Sequence, residues 1–321
     1  MKNSGNFIRK YLNEIICGDA LATLRKFPDE SIDCVVTSPP YFALRDYGMK
    51  NQIGLEEDFN GYLGRLIAVF DEIKRILKPA GTCWVVLGDT YGGSGVGGNL
   101  FRQKKGKSSF LKNSPNLFSH HNRYRKSLLQ IPSRFSIAMI ENGWLLRNEI
   151  IWHKPNCQPS PAADRFTIDY EKVFFFVKNR KYYFHQQFEP LRDKERLKRP
   201  IFNSAKKQKY RGVAFSAINH KTFEKSRLKM FERGVRNKRC VWTIGTNNFS
   251  GEHFATFPER LIETPVSAGC PEGGIVLDPF VGSGTTALVA KKLNRSYIGI
   301  ELNPKYVKIA MLAVDNLTKR L

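Results

Sequence analysis

Residues 275–287 read Ile-Val-Leu-Asp-Pro-Phe-Val-Gly-Ser-Gly-Thr-Thr-Ala, and the fold is decided here. A short apolar run ends at Asp278, Gly282 and Gly284 fall in a tight turn, and a helix is expected from about Thr285. Glycine lets the backbone pass close to a ligand, and a helix start offers N–H groups with no partner of their own. A second apolar strand, Tyr297 to Ile300, then runs into Glu301, an acid able to accept bonds from a ribose diol. This strand–turn–helix–strand unit implies an α/β protein built on a doubly wound, mostly parallel sheet. It suits any adenosine-containing cofactor. Gly282-x-Gly284-x-x-Ala287 meets the loose dinucleotide pattern, so a nicotinamide dinucleotide and S-adenosylmethionine stand equal on this loop alone. No Gly-Lys-Ser/Thr follows, which excludes a P-loop.

The N-terminal part carries the same grammar. Ile15 to Cys17 and Ile32 to Val36 read as strands, 59–77 has apolar residues at helical spacing, and Pro79 and Gly81 stop that helix. Thr82 to Leu87 is the next strand. A helix is expected near 128–141, strands at 149–152 and 172–177, and a closing helix at 304–317.

Between these core portions the composition changes. The 321 residues carry a formal net charge of +23, which opposes compaction unless a polyanion is near. Residues 92–126 open with five glycines and hold eight Lys/Arg and no acid, which reads as a mobile basic loop. Residues 179–240 hold nineteen Lys/Arg against five Asp/Glu, with aromatics such as Tyr182, Phe202, Tyr210 and Phe215 interleaved. Basic residues among aromatics suit phosphate contact and base stacking. Arg102, Lys104, Lys105, Lys206, Lys207, Lys209 and Arg211 are therefore expected to touch nucleic acid. The expected organisation is 1–178 for the first part of the core, 179–249 for a basic target-recognition region and 250–321 for the cofactor-binding part.

Other classes find little support. The basic N-terminus has no apolar stretch of a signal peptide, and no run approaches a membrane span. The six cysteines are far apart and several lie in apolar runs, so they are expected to be buried thiols of a reducing cytoplasm, with no disulfide set and no metal site.

The stretch Thr37-Ser38-Pro39-Pro40-Tyr41 follows directly on a strand. Two prolines fix the backbone and remove two donors, so a hydroxyl, rigid carbonyls and an aromatic ring share one short turn. Such a set can grip a planar amine, two acceptors taking the NH₂ hydrogens while the ring stacks on the base.

With both strand ends in view, the chain resembles the DNA amino-methyltransferases. Ser38-Pro39-Pro40-Tyr41 is similar to their catalytic motif, and Asp278-Pro279-Phe280-Val281-Gly282-Ser283-Gly284 to their cofactor motif. The catalytic motif comes first and a basic segment lies between, which is the permuted, β-type order. Ile16 to Leu21 resembles the family's acidic turn, His253 to Glu259 the segment that precedes its cofactor motif, and Glu149 to Asn156 is also similar to these enzymes. The likeness covers roughly 12–178 and 250–318; 92–126 and 179–249 match no pattern.

The resemblance implies a Rossmann-like methyltransferase fold with S-adenosyl-L-methionine as cofactor. It places Phe280, Gly282, Gly284 and Thr285, with Asp278, around the methionine and sugar, Thr256 and Phe257 near the methionine, Glu301 on the ribose and Asp19 at the adenine edge. It also implies that the target base leaves the duplex, because a stacked amino nitrogen cannot be reached. Ser38 and the Pro39 carbonyl would accept from that amino group, Pro40 would stiffen the turn and Tyr41 would stack. A serine opening the motif favours cytosine N4; adenine N6 is the alternative. A homodimer and a cognate restriction endonuclease are candidate partners. A nicotinamide-dependent oxidoreductase, an RNA or protein methyltransferase and a non-enzymatic DNA-binding protein are the rival classes.

Overall fold

The computed structural model describes residues 8–92, 124–191, 232–246 and 257–318. These form two compact units, Met1–His185 with Cys240–Leu321, and Gln186–Arg239.

The larger unit is an eight-stranded sheet between two layers of helix. In chain order its elements are β1 (Glu14–Cys17), α1 (Ala20–Leu24), β2 (Ile32–Thr37), α2 (Phe59–Ile76), β3 (Leu77–Leu87), α3 (Ile131–Glu141), β4 (Leu145–His153) and β5 (Tyr170–Val177). The smaller unit supplies β6 (Phe188–Pro190) and β7 (Val235–Asn237). The larger then resumes with β8 (Val241–Thr243), α4 (Glu259–Gly269), β9 (Ile275–Asp278), α5 (Thr285–Lys292), β10 (Ser296–Glu301) and α6 (Pro304–Thr318). Across the sheet the order is β1-β10-β9-β2-β3-β5-β4-β8.

Alternation along the strands sends residues to two cores, because successive side chains leave a strand on opposite faces. Val35, Val85, Phe174 and Phe176 pack with α1, α2 and α3 through Leu24, Leu66, Phe70 and Phe135. Cys34, Val36, Trp84, Val86 and Phe175 pack with α4, α5 and α6 through Leu261, Val266, Val289 and Ala310. Within the second core the Trp84 and Phe175 rings stack with centroids 4.0 Å apart. Helices on both faces make the sheet doubly wound, as its alternating pattern predicts.

Three features depart from the reading of the sequence. β5 runs antiparallel to both β3 and β4, while the other pairs are parallel. Its buried run, Val173 to Val177, shows that a strand exists but carries no mark of direction. β3 starts directly after α2, and its pairing with β2 slips between Ile32↔Leu77 and Cys34↔Thr82, so Pro79, which has no N–H to give, lies in the irregular stretch. The smaller unit is narrower than residues 179–249: β8 pairs with β4 in the main sheet, and its Trp242 is buried in the second core.

The cysteines divide as well. Cys34, Cys83 and Cys270 are buried, and burial pushes their thiols up, Cys270 to about 12. Cys17 and Cys240 are exposed, and Cys157 is half-buried, because they fall at strand ends and in a loop. Among the described residues no helix is long and apolar enough to cross a membrane.

In the smaller unit β6 and β7 form an antiparallel ribbon, in which Glu189 pairs with Arg236 at 2.7 Å and Arg239 at 2.6 Å. Lys206, Lys207, Lys209 and Arg211 lie outside the described residues, as do Arg102, Lys104 and Lys105 of the expected basic loop.

Candidate active site

At the centre of the sheet β9 and β2 are parallel neighbours whose onward connections run in opposite directions, β9 through α5 to β10 and β2 through α2 to β3. In an open α/β sheet that switch point leaves a crevice beyond the carboxyl ends of the strands. Here it is a cleft of about 630 Å³, within the usual range for a small-molecule site. Five parallel strands end at its rim, each with residues the sequence had marked or nearly marked. After β1 come Gly18 and Asp19, after β2 Ser38 to Tyr41, after β4 Lys154, after β9 Pro279 to Ser283, and after β10 Glu301 to Asn303.

The glycine turn forms one wall. Gly282 adopts φ +53, the left-handed region that a side chain rarely tolerates, and faces the cleft. Its N–H donates to Glu301 Oε2 at 3.1 Å, while Glu301 Oε1 accepts from the Asn303 N–H at 2.8 Å. Burial pushes the Glu301 carboxyl above its ordinary value. Phe280, Phe257 and Thr285 also line this wall. Asp19 lines the cleft and, through its Oδ1, caps α1 at the Ala22 N–H, 2.8 Å away, so it is both a turn residue and a wall residue.

Two residues expected on the cofactor do not reach the cleft wall. Asp278 is buried beneath it, with Oδ1 accepting from Thr37 Oγ1 at 2.6 Å and the Phe280 N–H at 3.0 Å, and Oδ2 from Thr286 Oγ1 at 2.7 Å. A buried carboxylate needs such donors, and they draw the side chain into the gap between β2 and β9. Its pKa is still pushed up to about 6, by burial. Gly284, at φ +91 ahead of α5, lies against α6: a Cβ there would meet Ala310 Cα at 3.0 Å. Its part is close packing of two helices. Thr256 lies outside the described residues.

The other wall is built from Ser38 to Tyr41. The hydroxyl of Tyr62, a buried residue of α2, donates to the Pro40 carbonyl at 2.8 Å and pins the turn to the core. Among the described residues no donor occupies the Pro39 carbonyl, and both Ser38 and Pro39 face the cleft. The Tyr41 ring lies against the end of β3, where a Cβ on Gly88 would stand 2.6 Å from Cε2. Tyr41 OH donates to Glu171 Oε2 at 2.5 Å. Burial, then that carboxylate, pushes the phenol well above its ordinary value.

Sequence reasoning missed a third group. Glu171 is the second residue of β5, which runs antiparallel, so the start of that strand lies at the same rim where the parallel strands end, with Glu171 opposite Trp152 of β4. Lys154 Nζ forms an ion pair with Glu171 Oε1 and sits 4.5 Å from the centroid of the Trp152 ring. The segment Glu149–Asn156 contained the signal for Lys154; nothing local marked Glu171, because only the reversal of β5 brings it here. The loop after Tyr41 also lines the cleft. Arg65 holds it by donating to Gln52 O at 2.9 Å and to Glu56 Oε1 at 2.8 Å, and the Tyr47 ring meets Tyr306 edge-on at 6.3 Å.

The model of a family described as DNA methylase, N6_N4_Mtase, matches residues 32–312. The chain is 39% identical over 294 residues to Type II methyltransferase M.Cfr9I of Citrobacter freundii, covering 92% of this chain and 85% of that one. It is 38% identical to Type II methyltransferase M.SmaI of Serratia marcescens, covering 92% and 89%. Among solved structures it shares its fold with PvuII DNA methyltransferase (cytosine-N4-specific), at a TM-score of 0.61 and 21% identity over 95% of this chain and 89% of the other. It likewise shares its fold with TTHA0409 of Thermus thermophilus, solved in complex with S-adenosyl-L-methionine, at a TM-score of 0.53 and 24% identity over 92% and 90%.

Proposed function

We propose, for a chain that belongs to the N6/N4 DNA methylase family, site-specific methylation of the exocyclic N4 of cytosine in duplex DNA with S-adenosyl-L-methionine as donor. One observation carries this reading: the glycine turn 279–285 and the Ser38–Tyr41 turn face each other across a single cleft. A nicotinamide oxidoreductase would leave the second wall without work.

The residues present fit the cofactor. The left-handed Gly282, with no side chain, would let the backbone approach it closely, the Glu301 carboxylate can take the ribose diol, Asp19 would take the adenine edge, and Phe280 and Phe257 offer apolar faces. When bound, S-adenosylmethionine supplies an electrophilic sulfonium methyl. The protein's own part is positioning and charge placement. The target base must leave the duplex, since the cleft lies at the sheet rim and an amino nitrogen stacked inside a duplex cannot be brought to it. Ser38 Oγ and the Pro39 carbonyl accept the two amino hydrogens, which frees a nitrogen lone pair otherwise delocalised into the ring. Tyr62, by fixing the Pro40 carbonyl, keeps those acceptors from relaxing. The Tyr41 ring stacks on the base. No side chain forms a bond to it, and the buried cysteines take no part.

Ser38 supports cytosine: a hydroxyl opens the motif where adenine enzymes of this kind more often carry Asp or Asn. The basic segments supply phosphate contact, which positions the enzyme without reading sequence. The relatives' Type II names support a role beside a restriction endonuclease of the same specificity, in the cytoplasm where the DNA lies. Replacing Ser38 and Tyr41 by alanine should abolish transfer while calorimetric cofactor binding persists. Full transfer by that double variant would refute the assignment.

A further inference from the structure

The Ser38 hydroxyl can donate as well as accept, and only an acceptor serves an amino group. What fixes its direction lies behind it. A carboxylate paired with an ammonium has no proton to give. Glu171 is so paired, with Lys154, and both side chains are largely shielded, at 17% and 18% exposure. The 2.5 Å contact therefore commits the Tyr41 proton to Glu171. The Tyr41 oxygen then has only lone pairs to offer Ser38, so Ser38 Oγ donates to it. That contact is 3.5 Å, long as in many sites without substrate. Both Ser38 lone pairs are left for the cleft.

We propose that Glu171, held by Lys154, is a positioning and specificity residue that sets the direction of the Ser38–Tyr41–Glu171 chain. It makes Ser38 an obligate acceptor, so the site takes a ring bearing an amino group and rejects one bearing a carbonyl at that position. Such a site leaves buried groups unpaired against the wrong ring, and this is how large discrimination arises. The proposal rests on the reading of the site as an amino-methyltransferase but not on which base is used. Lys154, stacked on Trp152 and linked to Glu171, keeps the carboxylate fixed.

The test compares wild type, Glu171→Gln, Tyr41→Phe and the double variant. A glutamine keeps the shape but can donate to the Tyr41 oxygen, so the direction of the chain is no longer fixed. Single-turnover methylation is measured on a duplex containing the modified site. Competition is measured with the same duplex carrying the 4-oxo ring uracil in place of cytosine, or the 6-oxo ring hypoxanthine if adenine is the base. Both single variants should lose roughly tenfold to a hundredfold in rate. Both should bind the oxo duplex more nearly as well as the amino duplex. The double variant should be no worse than the poorer single one, because one chain is cut once or twice. Cofactor binding by calorimetry should be unchanged in all three, which establishes that they fold. Wild-type rate and discrimination in Glu171→Gln, or losses that multiply in the double variant, would overturn the proposal. A wild-type chain that modifies no amino group overturns instead the reading on which it stands.

Discussion

Replacing Gly88 by alanine loads a single methyl group onto the base side of the cleft. The new Cβ would lie 2.6 Å from Tyr41 Cε2, 3.1 Å from Cδ2 and 3.3 Å from Glu171 Cδ. Carbon atoms settle at about 3.5–4.0 Å, so the ring must retreat by roughly 1 Å. It cannot simply swing away, because its hydroxyl is tied to Glu171 at 2.5 Å and its carboxylate partner is crowded by the same methyl. A shift of about 1 Å in a positioning group costs on the order of a hundredfold in rate, or ~2.7 kcal/mol of barrier. Gly88 is not on the cleft wall, so cofactor affinity should hold within about twofold, while overpacking lowers stability by roughly 1–3 kcal/mol. Single-turnover transfer from labelled S-adenosylmethionine, with calorimetry for cofactor affinity, separates the two effects. A Gly88→Ala enzyme within about threefold of wild-type rate would refute the view that the Tyr41 ring works in this position.

Three further outcomes follow from the cofactor side. Asp278 is an acid whose pKa rises to about 6 on folding, so the folded state holds its proton more tightly and stability falls as pH climbs from about 4 to 6. Asp278→Asn should therefore gain on wild type over that window, by up to ~3 kcal/mol, in urea unfolding at pH 4.5 and pH 7; a constant difference between the two proteins would contradict the burial argument. Gly284→Ala adds a Cβ 3.0 Å from Ala310 Cα at φ +91, and should cost roughly 1–3 kcal/mol in thermal unfolding. Glu301→Ala strips the acceptor from the Gly282 and Asn303 N–H groups and should weaken cofactor binding by about tenfold or more, read by calorimetry; unchanged affinity would remove Glu301 from the site.

Much of this was legible in the residues, and what was not has physical causes. The two strand ends, Thr37–Tyr41 and Asp278–Gly284, announced themselves because prolines and glycines at strand ends restrict the backbone in readable ways. The helical spacing of 59–77 and the apolar runs around Cys34 and Val85 reported helices and strands correctly, since burial of one face leaves a period. Direction in the sheet leaves none, so the reversal of β5 and the arrival of Glu171 beside Tyr41 were invisible. Motif likeness also placed Asp278 and Gly284 on the ligand, whereas the donors Thr37 and Thr286 and the neighbour Ala310 use them for packing. Those partners are far apart in sequence, and only the closed sheet brings them together.

Nucleoside analysis of DNA incubated with the chain and labelled S-adenosylmethionine reports both the transfer and the base that receives it. Label is expected in N4-methylcytosine, and is expected to disappear on removal of the Ser38 hydroxyl. Label in N6-methyladenine would contradict the cytosine assignment that rests on Ser38, and an absence of label in any amino group would contradict the reading of the two facing turns.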